Sequence, residues 1–226
     1  MGKFVYKLRP TDYYKMGQFE SWLYDMSAQG LHLKKFGLLL AKFEKNEPEF
    51  IRYRLDINSG KKYLAEQDIF YAQNGWDLVT HYGDFSIYAS PESEDIPELH
   101  TDPVEQADSL KKFEFQQGIL TVLSLIVNSL LAYSFYRSWD TQQLMDMGFN
   151  DWSELLLSIM LLSMCIGFAI DWYKLWSTRK KLLAGTAINH QAPWKTAIYL
   201  RNSYNVIVLA IAITMIIISI LSIYRY

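Results

Sequence analysis

Histidines are the first residues to consider for metal binding or acid–base chemistry. The four in this chain lie in separate segments, and no two have the HxxxH or HExxH spacing that brings a pair of imidazoles to one metal ion: His32, His81, His100 and His190. The chain also lacks the GxGxxG, GKS, GKT and GxSxG sequences of nucleotide-binding loops and nucleophile elbows. We therefore expect no metal, no cofactor and no catalytic residue.

Other reactive groups add little to a catalytic interpretation. Cys165 lies in a long apolar run without a neighbouring base, which is typical of a packing residue, and a lone cysteine excludes an intramolecular disulfide. Glu20 and Asp25 belong to a helical pattern whose apolar stripe uses other positions, so we expect both carboxylates to face solvent. A non-enzymatic protein is the favoured interpretation.

Aromatic side chains are the stronger candidates for a binding site. A pocket for a flat or cationic molecule needs ring faces that stack and attract positive charge. We assign this role to four residues: Tyr6, Tyr53, Trp76 and Tyr82. Arg52 and Arg54 share one face of a predicted strand, where they meet an acidic partner or keep an open sheet face soluble. The aromatic residues also suit a hydrophobic core, so both interpretations stay open.

Two strand–helix–strand–strand units position these residues within residues 1–90. In the first unit, an apolar stripe predicts a helix that ends at Gly30: Phe19, Trp22, Leu23 and Met26. The order restarts with the strand FIRYRLDI at 50–57, and the second helix ends at Gly75. An offset of 45 positions relates Gly30 to Gly75 and Leu33 to Leu78.

The repeat predicts the fold class. One unit of three strands and a helix has little core, so two copies are expected to join edge strands. The result is an α+β domain with one antiparallel sheet and both helices on one face. A groove between the halves is the natural place for a ligand.

An acidic segment and an apolar region follow the repeats. We expect residues 91–115 to be a linker, because residues 89–109 hold three prolines and seven acidic residues without one Lys or Arg. Residues 116–226 then form a membrane domain with three spans, at about 116–137, 154–174 and 204–224. Ser124 and Asn128, four positions apart in the first span, are candidates for contact between helices.

Loop charges predict the direction of the spans. Residues 177–203 carry five Lys and Arg without an acidic residue, whereas residues 137–153 carry one Arg against three Asp. Because basic loops stay inside, the N-terminus is expected in the cytoplasm and the C-terminus outside. With 22 basic and 24 acidic residues, the chain offers no electrostatic basis for nucleic acid binding. The expected partners are membrane lipid, a membrane protein or a second copy, and a small-molecule ligand.

The pattern WLxxMxxxGxxL at residues 22–33, followed by Gly75-Trp76 and an acidic linker, resembles an uncharacterised family of bacterial membrane proteins. Its members are chiefly Gram-positive, and their genes often lie beside PadR-like repressors. This chain departs from that pattern at Leu31, where the family commonly has Trp. The repeat order is also similar to gyrase-inhibitor-like domains, which bind small molecules between their repeats.

These resemblances imply a bacterial cytoplasmic membrane protein with a sensing role. We expect a regulatory protein whose cytoplasmic domain binds a ligand or partner in an envelope-stress or resistance response. The alternative is an accessory or immunity subunit of a membrane transporter or envelope complex that acts through its spans.

Overall fold

The computed structural model describes residues 3–10, 15–37, 39–57, 64–92, 96–99, 102–138 and 149–223. The chain divides into two compact units, which are treated separately. The first unit contains Met1–Leu110 and Thr178–Ser203, and the second contains Lys111–Ser177 and Tyr204–Tyr226. The basic segment after residue 177 therefore belongs to the same unit as the two repeats.

Each repeat folds into a three-stranded antiparallel sheet with one helix. The strand that is last in sequence lies in the centre, giving the orders β1-β3-β2 and β4-β6-β5. The elements of the first repeat are β1 (Phe4–Leu8), α1 (Met16–Ser27), β2 (Leu31–Phe36) and β3 (Leu40–Lys45). Those of the second are β4 (Ile51–Ile57), α2 (Leu64–Gln73), β5 (Asp77–Tyr82) and β6 (Phe85–Pro91).

The two sheets share one irregularity at equivalent positions. Pairing of β2 with β3 shifts between Leu33 and Lys35, and pairing of β5 with β6 shifts between Leu78 and Thr80. These bulges are 45 positions apart, which is the offset read from the sequence. The duplication therefore extends to the register of individual strand pairs.

The prediction of one continuous sheet is wrong, because the described strands form two separate sheets. The outer strands β2 and β5 lie close together without joining. Each carries a bulge, which interrupts the row of N–H and C=O groups that an added strand requires. Helix α1 contacts β2 of its own sheet and β4 of the other, whereas α2 contacts β5.

The predicted apolar stripe of α1 is confirmed. Phe19, Trp22, Leu23 and Met26 are each at most 7 % exposed. Trp22 meets Phe43 of β3 edge-on, with ring centroids 5.5 Å apart. Complete burial of such side chains contributes about 1.5–3 kcal/mol each, so this helix is a major part of the core.

Two glycines end the helices in the conformation that the sequence predicts. Gly30 and Gly75 have φ angles of 76° and 85°, in the left-handed region that favours glycine. A Cβ at Gly75 would also lie 2.8 Å from the side chain of Ile96. Both the backbone angle and this close approach require glycine at the second helix end.

The predicted linker packs on the second repeat where it is described. Ile96 and Leu99 pack against a buried aromatic cluster of the second repeat, formed by Tyr71, Trp76 and Tyr88. Charges within the segment favour an extended chain, whereas the apolar surface and the cations of the repeats favour packing.

Helix α3 (Pro103–Ser138) starts inside the predicted linker. Asp102 accepts a hydrogen bond from the backbone N–H of Val104 at 2.8 Å, and Pro103 follows as the first helical residue. This is the arrangement of an Asp N-cap with proline at the first position. The helix therefore begins before the charged residues Lys111 and Lys112 rather than after them.

Long helices dominate the rest of the chain, including α4 (Phe149–Leu183) and α5 (Lys195–Ile223). Among the described residues, Pro103–Ser134 and Leu157–Leu183 are long and apolar enough to cross a membrane. Only 11 % of the apolar window in each is buried, unlike the core helix of a soluble protein. These two helices suggest membrane association. The third predicted span lies in α5, partly outside the described residues.

Candidate functional site

Glu20 lies on α1 and is 3 % exposed, which corrects the expectation that its carboxylate faces solvent. One carboxylate oxygen accepts the backbone N–H of Leu55 at 2.9 Å. The other shares a hydrogen bond of 2.5 Å with Nδ1 of His190, in the basic segment. Because Leu55 belongs to the outer strand β4, Glu20 satisfies a backbone group that a neighbouring strand would otherwise bond.

The burial of Glu20 could have been predicted from its helical spacing to apolar residues. It follows Met16 by four positions and precedes Leu23 by three, so it lies beside two buried residues on the helix surface. Ser27, four positions after Leu23, is also buried. The buried face of α1 is wider than its apolar stripe, because it also includes the polar side chains of Glu20 and Ser27.

The segment from Asn189 to Trp194 runs along α1. Gln18 donates a hydrogen bond to the carbonyl of Pro193 at 2.9 Å, and the Trp194 indole N–H donates to Asp25 at 2.9 Å. Trp194 is 6 % exposed. Gly17 allows close approach, since a Cβ there would overlap the carbonyl group of Asn189. We refer to residues 189–194 as the docked segment.

A cleft of about 360 Å³ opens where α1, strand β4 and the docked segment meet. We refer to it as the α1–β4 cleft. Its lining combines carboxylates, guanidinium groups, phenols and an imidazole: Glu20, Ser21, Tyr24, Asp25, Arg52, Tyr53, Arg54, Glu92, His190 and Gln191. The groove predicted between the repeats is thus present, with one wall supplied from a distant part of the chain.

Acidic groups outnumber basic ones around this cleft. Three carboxylates and two arginines line it, and one arginine is already neutralised by a fourth carboxylate. Arg54 donates two hydrogen bonds to Glu98, at 2.6 and 2.7 Å, and these bonds lower the pKa of Glu98. With Glu98 included, the set contains four carboxylates and two guanidinium groups.

Tyr24 connects the cleft to the end of the second repeat. Its hydroxyl donates a hydrogen bond of 2.7 Å to Glu92, and its ring stacks on Phe50 at 5.7 Å. Burial and the hydrogen bond to the Glu92 carboxylate raise the pKa of Tyr24 to about 12. Tyr24 therefore presents a neutral phenol ring at the cleft.

Among the four predicted aromatic ligands, the cleft contains Tyr53 alone. Tyr53 is 2 % exposed, and burial raises its pKa to about 12. Tyr6 is 59 % exposed on β1, away from the cleft lining. Tyr82 lies beneath the guanidinium of Arg9, 4.9 Å from its ring centroid. The structure does not bring these rings together.

Trp76, the fourth residue of that set, belongs to the buried aromatic cluster of the second repeat. Its indole N–H donates to the carbonyl of Pro97 at 2.9 Å, and the residue is 1 % exposed. Arg52 and Arg54 both line the cleft, and the guanidinium carbon of each lies 5.5 Å from the centroid of the Trp76 ring. Arg54 is buried against Glu98, so the acidic group that it meets belongs to its own chain.

In the second unit, Asn128 contacts a neighbouring helix. Its side-chain amide donates to the carbonyl of Leu161 on α4 at 3.4 Å and to Ser124 within α3 at 2.8 Å. The Ser124 hydroxyl bonds the carbonyl of Thr121 in its own helix. Contact between α3 and α4 at this level thus involves Asn128 directly.

Within the described ranges there is no group of three His, Cys, Asp or Glu side chains that could hold a metal ion.

Residues 15–123 match the family model described as Protein of unknown function (DUF2812). This match covers both repeats from α1 onwards, the acidic segment and the first part of α3, and supports an uncharacterised domain family. Neither a curated protein nor a solved structure matches the chain.

Proposed function

We propose that this protein is a non-enzymatic, membrane-anchored sensor that binds a small organic cation in the α1–β4 cleft. One observation carries the proposal: Glu20, in the cleft wall, is bonded to His190 of the docked segment. The docked segment lies between helices α4 and α5 in the sequence. A molecule in the cleft would therefore touch the connection between two long helices.

The charge of the cleft supports a cationic ligand. The excess of carboxylates favours a positive charge, and the ring of Tyr24 can attract the same charge through its face. Both Glu20 oxygens already have partners in the protein, so this carboxylate would attract the cation through its charge rather than through a hydrogen bond of its own. The order of the repeated elements is similar to that of gyrase-inhibitor-like domains, which bind small molecules between their repeats, and this analogy agrees with a ligand in the cleft.

Signal transmission would use the contacts of the docked segment. A ligand shifts a conformational equilibrium only by its difference in affinity for the two states. Occupation of the cleft would change the contacts of His190 and Gln191, and would favour either the docked or the released position of residues 189–194. The output is an envelope-stress or resistance response.

The proposal includes the direction of insertion. Packing of the docked segment on α1 supports placing the repeats and the basic residues 177–203 on the same side of the membrane. The excess of basic residues assigns that side to the cytoplasm. Three spans in a bacterial cytoplasmic membrane would then leave the C-terminus outside.

Thermal unfolding of the full chain in nanodiscs tests the cleft. The probe is benzyltrimethylammonium, an aromatic cation with little tendency to enter lipid, and phenylacetate is the anionic control. A hundredfold excess over Kd adds about 2.7 kcal/mol to the unfolding free energy, so the midpoint should rise with the cation alone.

A matched pair of variants locates the effect. Glu92→Gln keeps a carbonyl acceptor for Tyr24 but removes a charge from the cleft, so it should weaken the response to the cation. Glu66→Gln makes the same change on the exposed surface of α2, which does not line the cleft, and should leave the response intact. Equal responses in both variants would exclude the cleft as the binding site. That result would favour the alternative, an accessory or immunity subunit acting through its spans.

A further inference from the structure

The first sheet has a surface that no described element covers. Phe4, Tyr6 and Leu8 alternate along β1 and are 45 %, 59 % and 51 % exposed. The strand register places Leu40 opposite Leu8 and Lys42 opposite Tyr6 on the same side of the sheet. We call this surface the outer face of the first sheet.

In the second repeat, the surface equivalent to the outer face of the first sheet is covered by protein. Leu8 pairs with Leu40, and Ile57 pairs with Phe85 at the equivalent position of the second sheet. Counting along the strands, the equivalents of the exposed β1 residues are buried: Tyr53 at 2 %, Leu55 at 5 % and Ile57 at 6 %. Repeat 1 thus leaves exposed a face that repeat 2 buries.

Lysines distinguish the two faces. Lys42 occupies the position of buried Ile87, and Lys35 occupies the position of Thr80, by the offset of 45. Lys35 and Lys42 lie directly opposite each other in the register. Like charges at such a position destabilise a sheet, so this pair points to an anionic partner.

The surrounding residues extend the positive charge. Four lysines and one carboxylate lie on or beside the outer face: Lys3, Lys34, Lys35, Lys42 and Glu44. Glu44 is held by Lys3 at 2.6 Å and Lys34 at 2.9 Å. Hydrogen bonds from these two ammonium groups lower the pKa of Glu44 to about 2. The carboxylate therefore stays ionised and offsets only one of the positive charges.

We propose that the outer face of the first sheet binds the surface of an anionic bilayer. Aromatic and aliphatic side chains beside lysines suit the boundary between head groups and acyl chains, where rings enter and ammonium groups meet lipid phosphate. The long apolar helices of the same chain would hold the face near the bilayer at high effective concentration.

Lipid fits this surface better than a second copy of the chain. A protein partner would repeat the pattern of the second sheet, in which the buried Ile87 occupies the position of Lys42. Each lysine near an anionic membrane strengthens attachment by about fivefold. The aromatic and aliphatic residues then need only shallow insertion to orient the domain.

Fluorescence of the full chain in nanodiscs tests this proposal. In a Cys165→Ala background, Tyr6→Cys is labelled with the environment-sensitive dye NBD. Nanodiscs contain phosphatidylcholine alone or with phosphatidylglycerol, and a lipid with a nitroxide on its head group serves as quencher. The nitroxide lipid should quench NBD much more in the anionic discs than in the neutral discs. High salt should abolish this difference, because it screens the attraction between the lysines and the lipid.

Two charge reversals on the labelled chain provide the matched comparison. Lys35→Glu lies on the outer face and should shift the ratio of attached to free domain by roughly 25-fold toward the free state. Lys7→Glu lies on the same sheet but on the opposite side of β1, where its register neighbour is the buried Ala41, and should have a small effect. Thermal unfolding of Lys7→Glu should match the parent, and Lys35→Glu should be at least as stable, because it replaces the like-charge pair with Lys42 by an opposite-charge pair.

Three outcomes would overturn the proposal. Equal quenching in neutral and anionic discs would exclude recognition of lipid charge. Equal effects of the two reversals would exclude the outer face. Shielding of NBD from aqueous iodide without quenching by the nitroxide lipid would show that protein, such as a second copy, covers the surface.

Discussion

Glu20 and His190 form a 2.5 Å hydrogen bond across 170 positions of sequence, and this bond attaches the segment between α4 and α5 to the first repeat. Glu20 is almost fully buried, whereas the His190 side chain is 27 % exposed. The bond therefore lies at the boundary between the protein core and the α1–β4 cleft. Under the proposed function, a cleft ligand would act on the long helices through this contact.

Removing the Glu20 carboxylate should cost stability in proportion to the partners that it loses. Glu20→Ala leaves the Leu55 N–H without its acceptor, and an unsatisfied buried group costs about 1–3 kcal/mol. Glu20→Gln keeps one carbonyl oxygen for that group and should cost less. Thermal unfolding of Glu20→Gln, His190→Ala and the double variant gives the coupling energy of the pair. Additive effects would show that the bond contributes nothing to the folded chain.

Gly17→Ala should release the docked segment, although alanine is the better helix former by up to about 1 kcal/mol. The added Cβ would meet the carbonyl group of Asn189, a backbone group that cannot move independently. Limited proteolysis should then cut residues 184–193 faster. Gly167→Ala is the control, because its Cβ would lie 3.8 Å from the nearest neighbour outside its own helix. Unchanged proteolysis of Gly17→Ala would contradict the packing described for α1.

Trp76→Ala should detach the acidic segment from the second repeat. Truncation of a buried Trp costs about 3–5 kcal/mol, and this one also loses its bond to the Pro97 carbonyl. A protease specific for Glu should cleave after Glu98 faster in this variant. Trp76→Phe keeps most of the ring packing and should show an intermediate rate. Equal rates in all three proteins would mean that Trp76 does not hold this segment.

Acid should weaken the folded protein partly through Glu98. Arg54 depresses the pKa of Glu98 in the folded state, so the folded chain binds this proton less readily than the unfolded chain. The stabilisation is present above the unfolded pKa of about 4.3 and is lost as the pH falls through the lower folded pKa. The thermal midpoint of the parent should therefore fall more steeply below pH 4.3 than that of Glu98→Gln. Parallel curves for the two proteins would contradict the assigned ion pair.

Local sequence signals were sufficient for the repeated elements of this protein. The α1 stripe is evident because Phe19, Trp22 and Met26 recur at helical spacing, and the helix stops are evident because glycine adopts positive φ without steric cost. The same offset of 45 positions relates the two bulges, because both copies keep the same number of residues between the glycine that ends the helix and the bulge in the next strand. Two apolar helices were likewise readable from composition, because a membrane span is a local property of about 20 residues.

Only the tertiary structure decided where the copies meet and what the cleft contains. Bulges in β2 and β5 keep the sheets separate, and a bulge has no clear signature in residue type. Glu98 reads as part of an acidic tether until Arg54 is placed beside it. The partner of Glu20 lies beyond two long helices in sequence, and no local period relates residues 170 positions apart. Sequence determined the repeated units and their apolar faces because short-range sterics and periodicity govern them, whereas long-range packing determined the site.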